Sequence, residues 1–254
     1  RAKLIDDPQM FVLYRNSTVL AVGHNVGVDW DEEKEEIRTD HLPSYIVPKM
    51  FPNHDLNEYI PSMSILSSLD TLDEGLIQLE RLVKKYDSWV SMCEESLRSD
   101  FLTEENKAIT QEIDSQIQSG RTAVSRISAG IETLRSNELA RVAFTHSNRS
   151  IQISQESPEV TKLKPGEFKW RPFQIIFQLM NINGLTAFNK EDPFFEERGI
   201  LDLAWFPTGG GKTEAYLGLI AYLGFYRRLR DPMAETLPSV HVIMRYTLRL
   251  LTMD

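Results

Sequence analysis

The chain has 254 residues, a formal net charge of −9 and a single cysteine, Cys93. One cysteine excludes an intrachain disulfide framework and a zinc site built from cysteine clusters, which is consistent with a reducing cytoplasm. The acidic balance argues against a globally basic nucleic-acid-binding coat but not against a local basic groove, and no apolar run is long enough to span a membrane.

Residues 1–70 are predicted to form a β-rich N-terminal region. Residues 11–14 and 18–22 favour strands, and the residues between them favour a turn, so together they predict a β-hairpin. Four prolines within 43–61 indicate extended structure and loops, because proline removes a backbone donor and disrupts a helix interior.

Residues 71–157 are predicted to be helical. After a capping box at Thr71 and Glu74, apolar residues recur at alternating steps of four and three, and a similar seam runs over 113–134. Two such helices joined by a short loop predict an antiparallel hairpin that resembles a coiled coil, and a third helix is expected over 137–153. We interpret the hairpin as a structural insertion, with an arm that contacts DNA or a partner as the alternative.

The most specific stretch of the sequence is the glycine-rich segment 201–214. An apolar run that ends at Phe206 predicts a buried strand, which Pro207 terminates before a helix begins. Three successive glycines let backbone N–H groups approach an anion that any side chain would exclude. Lys212 can then neutralise the β and γ phosphates, and Thr213 can offer a hydroxyl to Mg²⁺. The segment predicts a nucleoside triphosphate site.

The form of this loop is that of a helicase. Residues 206–213 match the superfamily 2 pattern A-x-T-G-x-G-K-T everywhere except at the first position. The helix that follows directs its positive dipole end toward the same phosphates. The residues expected to bind ATP here are Thr208, Gly209, Gly210, Gly211, Lys212, Thr213 and Glu214, of which Lys212 and Thr213 are also expected to take part in catalysis.

A second element lies ahead of the loop, where Arg171 and Gln174 form an R-x-x-Q sequence. In superfamily 2 helicases this glutamine pairs with adenine through one donor and one acceptor. The resemblance implies that Arg171 and Gln174 select adenine, with Phe173 or Trp170 available to stack on the base. The alternative is an ordinary helix start.

A second buried strand is predicted over 240–244, beyond the helix expected at 215–229. In an open α/β sheet, loops at the carboxyl ends of strands face the ligand crevice, so Arg245, Thr247 and Arg249 are predicted to contact a phosphate backbone. Their position is similar to helicase motif Ia, which grips one DNA strand. The alternative is that these side chains meet only solvent.

Together these motifs resemble the DrmA-type superfamily 2 helicases of bacterial DISARM anti-phage defence systems. The resemblance implies an ATP-driven helicase or translocase that acts on DNA, with ATP and Mg²⁺ as cofactors. It also implies a DrmB-like partner protein and a DNA methyltransferase of the same system, and no membrane. The segments that carry the resemblance are 21–24, 29–30, 42–48, 143–152, 170–174, 205–218, 227–230 and 245–252.

The sequence as a whole therefore predicts an α/β protein. Residues 158–254 are expected to begin a RecA-like helicase lobe, a parallel sheet with the phosphate-binding loop, after the β-containing region and the helical hairpin. We expect an N-terminal piece of a larger protein that stops ahead of the acidic Walker B strand. Two alternatives to a DNA translocase stay open: an RNA helicase or remodeller, and a nucleotide-gated scaffold that recruits defence partners.

Overall fold

The computed structural model describes most of the chain, which forms two compact units. One unit comprises residues 1–52 and 88–121, and the other comprises 53–87 and 122–254. The described residues are 7–15, 21, 26–31, 33–40, 54–101, 107–157, 164, 166–203, 210–231, 233 and 240–245.

The strand predicted over 11–14 is wrong, because these residues belong to helix α1 (Pro8–Leu13) and the turn after it. The helix starts with a proline, and the Asp7 side chain accepts a hydrogen bond from the Gln9 N–H at 2.9 Å. Proline lacks the N–H that would be unsatisfied at this position, and the aspartate satisfies another, so both favour a helix start. The second predicted strand, 18–22, lies outside the described residues except at position 21.

The sheet of the first unit consists of two strands. Strands β1 (Gly27–Asp31) and β2 (Glu36–Asp40) pair antiparallel, and Glu35 turns the chain between them with a φ of 53°. The described part of the N-terminal region therefore contains β structure at 27–31 and 36–40 and a helix where a strand was predicted at 11–14.

The helices predicted between residues 71 and 157 are present. In the first unit, Arg98 and Asp114 are joined at 3.1 Å, and Arg121 donates to the Ser91 hydroxyl at 2.9 Å. Later residues of one helix thus contact earlier residues of the other, as in the predicted antiparallel hairpin. The helices are α3 (Leu72–Asp100), α4 (Lys107–Ser136) and α5 (Glu138–Gln155), and the short helix α2 (Met63–Leu66) precedes them.

The core of the second unit is built by helices. Helices α6 (Pro172–Thr186) and α7 (Lys212–Arg230) pack against each other, and α5 also packs against α7. A short 3₁₀ helix, Phe195–Gly199, contacts α6. None of the helices in the described ranges is long and apolar enough to cross a membrane. The large side chains buried in this core include Leu76, Leu79, Ile127, Phe144, Trp170, Leu179 and Tyr222.

The prediction of an α/β protein that begins a RecA-like lobe is wrong. In the described part of the chain the sheet is the antiparallel pair β1 and β2, and no parallel sheet accompanies the glycine-rich segment. Residues 201–203 and 240–245 form no strand, and Leu201 and Val240 are 95% and 77% exposed. A short apolar run becomes a buried strand only where neighbouring strands cover it and pair with its backbone, and no described segment does so here.

Candidate functional site

A cleft of about 1490 Å³ opens in the second unit beside the first turn of α7. Its walls come from α6, from α7, from residues that precede each of these helices and from 241–245. Four predicted site residues, Thr208, Gly209, Thr247 and Arg249, lie outside the described residues. The structure brings all the described ones to this cleft: Arg171, Gln174, Gly210, Gly211, Lys212, Thr213, Glu214 and Arg245.

The start of α7 forms the floor on which an anion can bind. Gly211 is the N-cap residue, with φ 83° and ψ 31° in the left-handed region, and Lys212 is the first helical residue. The first N–H groups of a helix lack intrahelical acceptors, and the helix dipole places partial positive charge there. This geometry suits a phosphate group.

The R-x-x-Q element is bound directly to this turn. The Arg171 guanidinium donates to the Gly210 carbonyl at 2.9 Å, and the Gln174 amide donates to the Gly211 carbonyl at 2.7 Å. The Gln174 carbonyl also accepts the backbone N–H of Arg171 at 2.7 Å, which caps α6. Two motifs separated by almost forty residues therefore share one hydrogen-bonded junction.

Gln174 has a structural role that the sequence motif did not reveal. Its side chain is 3% exposed, and both its donor and its acceptor are engaged within the protein. Pairing with adenine would require these bonds to be exchanged for bonds to the base. Adenine selection by Gln174 therefore stays a prediction.

The segment that precedes the glycine-rich residues is anchored from α4. Arg126 donates to both carboxylate oxygens of Asp202, at 2.6 and 2.8 Å, and to the Met180 carbonyl at 3.0 Å. Both side chains of this pair are largely buried. A two-pronged contact of this kind sets position as well as charge, so it fixes the chain eight residues before Gly210.

The charge of the cleft is opposite to that of the chain. Four cationic side chains line it, against the two carboxylates Glu167 and Glu214. In a chain with a net charge of −9, this concentration of positive charge favours an anionic ligand. The four cationic residues are Lys169, Arg171, Lys212 and Arg245.

The oxygen atoms at the start of α7 also suit the binding of Mg²⁺ together with phosphate. One carboxylate oxygen of Glu214 is buried and has no hydrogen-bond partner within the described part of the chain. A carboxylate next to a triphosphate is tolerated when a cation lies between them, and Mg²⁺ takes oxygen ligands from one or two side chains plus phosphates. The hydroxyl of Thr213, which is exposed, supplies a second such oxygen.

The aromatic residues of the cleft differ from those suggested by the motif. Trp170 is 2% exposed and donates its indole N–H to Asn148 at 2.7 Å, so it is a core residue and cannot stack on a base. Phe173 is not among the residues that line the cleft, whereas Phe177 and Tyr216 line it and contact each other edge to face with centroids 5.6 Å apart. Helical spacing could have identified this pair, because each lies three or four residues beyond a site residue on its own helix.

The chain is 33% identical, over 94% of its length, to the DISARM protein DrmA of Bacillus paralicheniformis. It belongs to the DrmA type of DISARM protein. No family model matches the chain. This DrmA-type chain spans about a fifth, 22%, of the length of that relative. The DrmA-type DISARM family predicted from the sequence motifs is thereby confirmed.

Proposed function

We propose that the cleft binds ATP with Mg²⁺ and that the protein is an ATP-dependent DNA translocase or helicase in bacterial anti-phage defence. The observation that carries this proposal is the junction at which Arg171 and Gln174 bind the carbonyls of Gly210 and Gly211 at the start of α7. An element of the helicase adenine-binding type and a glycine-rich phosphate-binding segment meet there, in a cleft lined by cations.

The residues of the cleft divide the work of phosphoryl transfer. Lys212 and the first N–H groups of α7 hold the β and γ phosphates and stabilise the charge that develops there. Thr213 and Glu214 would hold Mg²⁺, which would neutralise phosphate charge when bound. Arg171 lies at the mouth of the same turn, where it keeps the Gly210 carbonyl from facing the phosphates.

Nucleic acid and protein partners complete the proposal. Arg245 lines the cleft, so with Thr247 and Arg249 it can connect a bound DNA strand to the nucleotide. Because the relative is a DISARM protein, we propose a DrmB-like protein and a DNA methyltransferase of the same system as partners, in the cytoplasm.

The test of this function is ATP hydrolysis by the purified protein at fixed salt, without nucleic acid and with single-stranded DNA, double-stranded DNA or RNA. We expect DNA to stimulate turnover. Stimulation by RNA alone would replace the proposal with an RNA helicase or remodeller. ATP binding with no turnover that depends on nucleic acid would replace it with a nucleotide-gated scaffold.

Lys212→Ala should abolish turnover while the protein stays folded. Loss of a preorganised charge at the phosphates lowers the rate by about a hundredfold or more, since a single such contact often supplies that much. Lys85→Ala is the matched control, because Lys85 is an exposed lysine of α3 that does not line the cleft. Helical content is checked by circular dichroism, and normal hydrolysis by folded Lys212→Ala would contradict the assignment of the cleft.

A further inference from the structure

Three arginines converge on one aromatic ring at the far end of α7. The guanidinium carbons of Arg230, Arg198 and Arg227 lie 3.9, 5.3 and 5.7 Å from the centroid of the Phe188 ring. Arg227 and Arg230 belong to the last turn of α7, whereas Arg198 comes from the 3₁₀ helix and Phe188 follows α6. We call these three arginines with Phe188 the arginine cluster.

Helix electrostatics explain only part of this arrangement. Cations are favoured in the last turn of a helix by its dipole, which accounts for Arg227 and Arg230. It does not account for Arg198, which is brought to the same ring from a different segment. Three like charges around one ring repel each other. The cluster therefore lowers the stability of the protein unless a negatively charged ligand binds to it.

The cluster also differs from three other arginines of its unit. Arg126, Arg135 and Arg141 each form an ion pair with a carboxylate. Within the described residues, the side chains of Arg227 and Arg230 form neither an ion pair nor a hydrogen bond. Asp192 is close enough for Arg230 to help lower the pKa of its carboxyl, but the main causes of that shift are the N–H groups of Asn189 and Phe188, which Asp192 accepts.

The Phe188 ring preorganises the guanidinium groups for binding phosphate. Phe188 stacks on Tyr226 with centroids 6.1 Å apart, and Arg198 donates to the Ala187 carbonyl at 2.8 Å, so the base of the cluster is fixed to the core. A guanidinium stacked on an aromatic face keeps its N–H edge for two-pronged binding of phosphate. Such a side chain also has less freedom to lose when it binds.

The arginine cluster lies apart from the predicted phosphate-binding turn. That turn is at the start of α7 and the cluster is at its end, and a helix of 19 residues is about 28 Å long at 1.5 Å per residue. The cleft follows α7 as far as Leu223, and no residue of the cluster lines it. A ligand with many phosphates can reach several arginines at once, since a duplex presents one phosphate per strand about every 3.4 Å along its axis.

We propose that Arg198, Arg227 and Arg230, supported by Phe188, form a binding site for the sugar-phosphate backbone of DNA. The proposal rests on the proposed function, because it assigns a second contact surface to the DNA on which the protein acts. It differs from the contacts assigned to Arg245, Thr247 and Arg249, which lie on the side of the nucleotide cleft or outside the described residues.

The test compares Arg230→Gln with Arg228→Gln. Each variant removes one positive charge from the same helix, but Arg228 is exposed and is not one of the arginines on the Phe188 ring. Binding of fluorescently labelled single-stranded and duplex DNA is measured by anisotropy over a salt series, without nucleotide. We expect Arg230→Gln to weaken DNA binding about fivefold to tenfold and to lower the salt slope by about one, with Arg228→Gln close to wild type.

Phe188→Leu separates preorganisation from charge. It keeps every arginine and removes only the ring, so we expect weaker DNA binding at unchanged net charge, with folding verified by thermal melting.

Equal DNA affinity for Arg230→Gln and Arg228→Gln would overturn the arginine cluster while leaving the proposed function intact. If Arg230→Gln loses binding to a polyglutamate peptide while its DNA binding stays unchanged, the DNA assignment of the arginine cluster is overturned in favour of an acidic protein ligand. Absence of any DNA binding by the wild-type protein would overturn the DNA function itself, even where ATP still binds.

Discussion

Gly211 allows the chain to turn from residue 210 into the first turn of α7. Its φ of 83° is strained for any residue with a side chain. A Cβ at this position would lie 2.7 Å from the Gln174 amide nitrogen and 3.1 Å from a carboxylate oxygen of Glu214. The missing side chain thus serves both the backbone conformation and the junction between the two motifs.

Gly211→Ala should weaken ATP binding and destabilise the protein by about 1–2 kcal/mol, because it forces a left-handed alanine and displaces Gln174. Gly199→Ala is the matched control, since Gly199 has a negative φ and nothing lies within 4 Å of a Cβ built there. Calorimetric titration with a non-hydrolysable ATP analogue measures the affinity. Equal affinities of the two variants would mean that the turn at Gly211 does not shape the site.

Helices α4 and α6 approach each other closely at Gly130. A Cβ on this residue would lie 2.1 Å from the Leu179 carbonyl oxygen, which is backbone and cannot move aside as a side chain would. The glycine lowers intrinsic helix propensity, yet it permits the contact that brings α4 to α6. Arg126, one turn earlier in α4, uses the same proximity to reach the Met180 carbonyl and Asp202.

Gly130→Ala should destabilise the protein by about 1–3 kcal/mol, the usual cost of overpacking a core. Gly224→Ala should have the opposite sign and stabilise it by up to about 1 kcal/mol, because α7 gains helix propensity and the nearest atom to the new Cβ is an arginine nitrogen at 3.8 Å. Chemical denaturation gives both midpoints. Unchanged or increased stability of Gly130→Ala would refute the close approach.

The candidate site belongs to one unit of the protein. Every residue that lines the cleft lies between 155 and 245, in the second unit, whereas the distal hairpin residues 88–121 belong to the first. The first unit has a small core of its own, formed by Val12, Leu97, Ile109 and Ile113. Nucleotide binding and the hairpin can therefore be tested separately.

We consider a deletion variant of the full-length protein in which 1–52 are removed and a short glycine linker replaces 88–121. It should retain wild-type ATP affinity, because no residue of the cleft is removed. Val90 and Gly120 are in close contact, so a short linker can join the shortened helices. ATP affinity is measured beside thermal melting. A folded variant that no longer binds ATP would show that the first unit contributes to the site. Loss of partner binding with ATP affinity retained would favour the hairpin as a recruiting arm.

Much of the helical structure could be predicted from the sequence, because a helix produces a local periodicity of apolar residues. The family could be predicted from its sequence motifs. The seams of α3 and α4 recur every three or four residues, and the apolar helix after Arg171 is present as α6. The described residues of two predicted strands, 201–203 and 240–244, form no strand, and the prediction of an α/β fold was wrong. An apolar run of five residues is compatible with a strand only when other strands pair with it, and such pairing is not a local property.

Local sequence thus determined the helices and the glycine-rich turn ahead of α7, since each depends on residues a few positions apart, and composition alone determined the net negative charge. The tertiary structure decided how the site residues are used. Gln174 bonds to Gly211, Trp170 is buried against Asn148, and Arg198 joins Arg230 on one ring. These contacts join residues more than twenty positions apart, and their hydrogen bonds, burial and charge arise only when helix packing brings the segments together.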